Sequence, residues 1–272
     1  MDPLSITTIT FGLRMLKEVG LLGSLVFSPI FLLLAENKPN TVRNKFNYVN
    51  GQIEKLEEIS KIVFQTKEDA ELKTISYTAT WRYPYWKSHH QRMRFHTESG
   101  KVEHLKFVSA NKTLSEELVT NKYGFRIAQD EVFSILKIPL NQKCVRLVIF
   151  LPNPEFTLEE SMKKLDADRI HSLFKEFTVY NVHYKIPYFE MRSTVDTSNL
   201  LGIQNSKFQK FRFHWTKPTE KYTELDDDFN ESFIKRPPDR TPFEFVADRP
   251  FFFAVFNETL PILMGVFTGT NF

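Results

Sequence analysis

Glycine is scarce in this sequence, at 9 residues against 27 phenylalanines in a chain of 272. Neither G-x-G-x-x-G nor G-x-x-x-x-G-K-[ST] occurs, so the glycine-rich loops that hold nucleotide phosphates are excluded. Cysteine is nearly absent. Cys144 alone cannot form an internal disulfide, which suits a reducing compartment without requiring one, and its expected role is a small buried hydrophobe. Excess charge is also lacking. Lys and Arg number 36, Asp and Glu 33, giving a net charge of +3, and no run of cations is long enough to track a phosphate backbone, so no nucleic-acid partner is expected. Finally, no long hydrophobic run is present. The most apolar stretch, Val19 to Ala35, falls short of a membrane span and is interrupted by Ser24, Ser28 and Pro29. Asp2 and Glu18 precede it and no small-x-small cleavage pattern follows, so it reads as buried helix with no convincing signal peptide.

What is present is ordered by period. "ITTITFGLRMLKEV" places Ile9, Leu13, Leu16 and Val19 on one helical face. "FSPIFLLLA" reads as a short extended piece, a Ser28-Pro29 start and a buried helix. "NGQIEKLEEISKIVF" carries Ile53, Leu56, Ile59 and Val63 at helical spacing, a surface helix. From Thr74 the period changes to two. "TISYTATWRY", "KVEHLKFV", "YGFRIAQ", "EVFSILKIPL" and "VRLVIFLP" predict strands, with turns at Ser99-Gly100, Gln129-Asp130 and Asn141-Gln142. "TLEESMKKLDADRIHSLFKEF" predicts one helix, with Thr157 and Glu160 in the reciprocal capping pattern. "TVYNVHYKIPYFEMRS" reads as strand, and "FEFVADRPFFFAVF" and "LPILMGVFTG" close the chain as apolar runs. The class is α+β.

Chemistry-bearing patterns are few. No HExxH occurs among the seven histidines; His89-His90 falls in a polar loop, and His96 and His104 in strand-like segments without a carboxylate pattern. Asp226, Asp228 and Asn230 start a calcium-loop spacing that fails at Glu231, where Gly is needed, and at Pro237, where Glu is needed. The sequons at Asn111, Asn230 and Asn257 matter only on a secretory route. With no acid–base pair, nucleophile elbow or cofactor loop, no enzyme, cofactor or metal site is expected.

The C-terminal run "FVADRPFFFAVFNETLPILMGVF" resembles the signature of the serpins, F-x-A-D-[HR]-P-F, an apolar strand, a short turn and I-L-x-M-G. "FSPIFLLLA" is similar to the family's F-S-P-x-S segment, and "ISYTATWRYPYW" to its N-A-x-Y-F-x-x-x-W strand, with Trp81 at the tryptophan position. "FSILKIPLNQKCVRLVIFLP" resembles a pair of the family's strands, and "VHYKIPYFEM" through "DTSNLLGIQNSKF" resembles its V-x-x-P-x-F, the segment leading to L-G-I and the following Phe. The resemblance implies a single serpin-like domain over residues 1–272 with mainly antiparallel β-sheets and N-terminal helices. Between Ala35 and Ile75 the family holds several helices and a central strand, whereas some forty residues remain here. Residues 36–74 are therefore expected to lack several helices and part of the central sheet.

By the same resemblance, residues 220–242 correspond to the reactive-centre loop, the bait that a serine protease cuts and that then inserts into the central sheet. Its hinge aligns with "YTELDDD". Thr223 and Glu224 match the pattern, Tyr222 replaces Gly, and Leu225, Asp226, Asp227 and Asp228 replace small apolar residues. A strand entering the sheet buries alternate side chains, and burying an unpaired carboxylate costs several kcal/mol. The family's spacing puts the scissile residue at Arg236, which suits a trypsin-like serine protease, but Pro237 follows and disfavours cleavage there; Lys235 and Arg240 are neighbouring candidates. The default function implied is suicide-substrate inhibition of a serine endopeptidase, with the acidic hinge pointing to weak or lost inhibition. The alternatives are a non-inhibitory interaction protein or a degenerate truncated serpin that exposes sheet edges and apolar faces. Location is expected in the cytoplasm, with the extracellular space of many relatives as the alternative.

Overall fold

The computed structural model describes residues 1–21, 23–36, 50–68, 72–80, 91–109, 125–142, 144–179, 182–196, 208–216 and 243–269. Asp2 starts helix α1 (Pro3–Val19) by accepting the Leu4 and Ser5 amides, and the Gly20 amide closes it on the Leu16 carbonyl. Ile9, Leu13 and Leu16 face the core as the spacing predicts, but Val19 lies beyond the last buried turn and is 45% exposed. A short strand, β1 (Leu25–Phe27), leads through Ser28 into α2 (Pro29–Glu36), and α3 (Asn50–Val63) packs against α2.

The remaining strands form three sheets. The largest runs β1, β15 (Leu260–Phe267), β14 (Phe251–Asn257), β8 (Val145–Pro152), β7 (Phe133–Pro139), β6 (Arg126–Gln129) and β9 (Thr178–Val179), all antiparallel. Its centre reads as continuous apolar sequence because both faces are covered. A second sheet has the order β13 (Phe243–Val246), β10 (Val182–Pro187), β5 (Val102–Ser109) and β4 (Gln91–His96). The third has the order β11 (Met191–Val195), β12 (Phe208–Thr216), β3 (Leu72–Thr80) and β2 (Gln65–Glu68). Only β10–β13 and β3–β12 pair in parallel among the described strands. The expected α+β class with mainly antiparallel sheets holds.

Phenylalanine supplies the junction of these layers. Phe189, between β10 and β11, sits with ring centroids 4.9 Å from Phe267, 5.2 Å from Phe253, 5.5 Å from Phe213 and 5.7 Å from Phe251. Residues of three segments distant in sequence thus meet on one ring. The C-terminal signature stitches the sheets through its backbone and Arg249. The Ala247 amide donates to the Lys185 carbonyl, the His96 amide donates to the Asp248 carbonyl, and Arg249 Nε and Nη2 both donate to the Pro152 carbonyl.

Three sequence expectations are corrected. The region from Thr157 to Phe177 is two helices, α4 (Leu158–Lys163) and α5 (Ala167–Lys175), because Asp166 turns extended and caps the second by accepting the Arg169 amide. The Thr157–Glu160 capping box is present as expected. "TVYNVHYKIPYFEMRS" contains strands of three different sheets, β9, β10 and β11, rather than one strand. Cys144 is half-buried at a turn with φ 57°, not a buried strand residue.

One face of the largest sheet carries an energetic burden. The β6–β7 register sets Arg126 directly opposite Lys137, and β7–β8 pairing brings Arg146 to the diagonal position. The Lys137 ammonium lies 5.1 Å and 5.7 Å from the ring centroids of Phe177 and Phe174. Burial, then the fields of Arg126 and Arg146, push its pKa down to about 8. Because the folded value lies below that of the unfolded chain, the penalty is full below pH 8 and fades as pH rises toward the ordinary lysine range. A shift of that size is worth on the order of 3 kcal/mol. Lys137→Met is therefore expected to raise stability at pH 7 by about 1–3 kcal/mol and to remove the rise in stability between pH 8 and 10, read by urea unfolding at both pH values.

Candidate functional site

The hinge residues Tyr222, Thr223, Glu224, Leu225, Asp226, Asp227 and Asp228, and the cleavage candidates Lys235, Arg236, Pro237 and Arg240, lie outside the described residues, as does Trp81. The described residues do define what the segment joins. It leaves the C-terminal end of β12 at Thr216 and returns at Phe243, the start of β13. A strand added by that segment on the parallel side of β12 would enter between β12 and β3.

That seam is closed. β3 and β12 pair at nine consecutive positions, from Leu72 opposite Phe208 to Thr80 opposite Thr216. Alternation sends Ile75, Tyr77, Ala79, Phe211 and Phe213 inward, all buried, and leaves Thr74, Ser76, Thr78, Lys210 and Arg212 on the outer side. Across the seam the Tyr77 and Phe213 rings stack at 6.3 Å with an interplanar angle of 13°. Phe64 adds an edge-on contact to Tyr77 at 5.9 Å. The inner wall is poorly solvated: burial pushes the Tyr77 phenol far above its ordinary range. Gln209 Oε1, on the same inner side, is buried and has no hydrogen-bond partner among the described residues.

The end of the seam nearest Thr216 is also pinned. The Asn141 amide donates to the Thr80 carbonyl at 2.8 Å, and the Tyr77 hydroxyl donates to Gln142 Oε1 at 2.9 Å. Asn141 and Gln142 both belong to the β7–β8 turn, so opening the seam from that end disturbs a second sheet.

The outer side of this sheet bears on the alternative of a degenerate chain with a bare apolar face. Helix α3 packs against α2, and the outer residues Gln65, Lys67, Arg192, Thr194 and Arg212 are exposed. Instead of an apolar surface awaiting cover, the chain presents Thr, Ser, Gln and four cations, Lys67, Arg192, Lys210 and Arg212. The edge strand β2 is short, with all four residues exposed and polar, which blunts pairing with another chain. The apolar face and long open edge that the degenerate-chain alternative implies are absent from the described residues. Periodicity did not mark β2 or β12 as strands. "FQKFRFHW" nonetheless alternates aromatic and polar residues, and that period was the available signal for β12.

Comparison with known proteins agrees with the architecture. The family profile described as Serpin (serine protease inhibitor) matches residues 39–210. No curated protein matches the chain in direct sequence comparison. Among solved structures, the mouse protein Z-dependent protease inhibitor is 14% identical with a TM-score of 0.71, covering 98% of this chain and 97% of its own. The Manduca sexta serine protease inhibitor serpin-12 is 12% identical with a TM-score of 0.67, covering 98% of both chains. Maspin is 12% identical with a TM-score of 0.68, covering 99% of both. At such identities these likenesses concern the fold alone.

Proposed function

The chain belongs to the serpin family, and on that premise we propose that its reactive-loop segment is cut by trypsin-like serine proteases as a substrate, without trapping them. Serpins are the known case of a cut loop joining a sheet and releasing stored strain. Trapping therefore depends on the loop entering between β3 and β12 faster than the acyl-enzyme hydrolyses.

The seam closed over the Tyr77–Phe213 wall carries this reading. An inserted strand alternates, so two registers exist. With Glu224, Asp226 and Asp228 inward, three carboxylates meet the aromatic wall. With Leu225, Asp227 and Phe229 inward, one does, while Asp226 and Asp228 face outward beside Lys210 and Arg212. The second register is favoured, yet it still buries the Asp227 carboxylate against the aromatic wall, where the cation on that side, Lys73, already lies near Glu68 and over the Phe31 ring. That costs several kcal/mol or forces protonation.

The arithmetic singles out one residue. Asp227→Ala removes the obstruction of the favoured register, whereas replacing Asp226 and Asp228 leaves it. After single-site cleavage in the loop, the melting temperature of the wild-type chain is expected to stay unchanged. That of Asp227→Ala should rise by roughly 8 °C, the equivalent of about 4 kcal/mol. A rise of that size in the cleaved wild type would defeat the proposal.

A further inference from the structure

We propose that the β4 edge is a docking site for an acidic, extended segment of a partner protein. Among the described strands β4 is the last of its sheet, and its register with β5 places Arg92 opposite Lys106 and Arg94 opposite His104. His96 completes the same face, and all five side chains are exposed. Glu103 projects to the other face beside Phe95, so the five form a basic ladder without an acid. None of them forms an ion pair among the described residues, and the one ring contact, Lys106 over Tyr188 at 5.7 Å, also leaves the charge unneutralised. Like charges directly opposite one another destabilise a sheet, so the ladder is held at a cost in the isolated chain.

The backbone is as open as the side chains. The Thr97 amide donates to the Lys101 carbonyl across the hairpin, which fixes the alternation: odd residues of β4 bond to β5 and even ones turn outward. The outward His96 amide is taken by the Asp248 carbonyl at 2.7 Å. Arg92 and Arg94 turn their amides and carbonyls outward with no partner among the described residues.

A basic edge resists pairing with a second copy of itself, which is the protective use of such charge. The same edge accepts a strand of opposite charge. An extended peptide added to β4 presents alternate side chains about 7 Å apart on one face, the spacing of Arg92, Arg94 and His96. Nucleic acids and sulfated polysaccharides could neutralise the ladder but would leave the strand's amides and carbonyls unsatisfied, so a peptide is the better fit.

The test uses the full chain and a fluorescein-labelled peptide, Thr-Glu-Val-Glu-Val-Glu-Thr, read by anisotropy, with amide hydrogen exchange on the wild-type protein. The glutamine version of the peptide and the variant Arg92→Glu/Arg94→Glu should each weaken binding about tenfold or more. Exchange at the Arg92 and Arg94 amides should slow in the complex. Equal binding of the glutamine peptide would overturn the proposal. So would unchanged exchange at those amides together with displacement of the peptide by a sulfated oligosaccharide, which would reduce the ladder to a general polyanion surface.

Discussion

Gly265→Ala is expected to cost about 4 kcal/mol and to lower the melting temperature by roughly 8 °C. A Cβ built on Gly265 would collide with the Leu25 carbonyl oxygen and stand 2.8 Å from the Phe253 ring. The carbonyl cannot withdraw, because Val26 is paired opposite Gly265 and the Val26 amide also donates to Ser193 Oγ at 2.7 Å. The ring cannot rotate away freely either, since Phe253 packs on Phe189 and Phe213. Gly12→Ala makes the informative contrast. There the closest atom is the sulfur of Met264, the movable part of a flexible side chain, so the loss should be distinctly smaller. Thermal unfolding of both variants checks the order. Equal losses would mean that the Leu25 carbonyl yields and that the β1–β15 pairing is softer than described.

Phe189→Ala should be nearly as damaging, at about 3–5 kcal/mol by urea unfolding. The ring is fully buried and touches Phe213 of β12, Phe251 and Phe253 of β14, and Phe267 of β15. Its removal leaves a cavity bounded by four other rings whose positions are set by strand pairing, so collapse onto the gap is restricted. Phe189→Leu, which keeps most of the volume, should recover more than half of the loss. If the alanine variant costs about 1 kcal/mol, typical of an ordinary substitution, the ring is not the junction of the sheets.

These two residues also show what the sequence could disclose. Met264 and Gly265 belong to the C-terminal run whose resemblance to the serpins was legible, because an apolar strand with a fixed Gly is a local pattern. The reason for the Gly, a carbonyl on a strand some 240 residues earlier, is not local. Phe189 likewise reads as part of one strand with its neighbours. Only the three-dimensional junction shows that the chain changes sheet on either side of it. Helix faces were legible through Leu56 and Leu16, which spacing alone placed inward. The boundary at Asp166 was not, because a cap residue inside a charged stretch looks like any solvent-facing acid. The polar outer side of the β11-β12-β3-β2 sheet escaped notice for a further reason. Its four cations come from three strands that neither period nor motif brings together, and two of those strands were not recognised.

The proposed behaviour as a substrate and not a trap rests on the acidic hinge together with the closed β3–β12 seam. The most direct measurement is a denaturing gel after mixing the purified chain with trypsin. The account predicts cleavage between Lys235 and Arg240, two fragments, and trypsin that remains active. A band at the summed mass of the two proteins that survives boiling would be a trapped acyl-enzyme, and it would contradict the account.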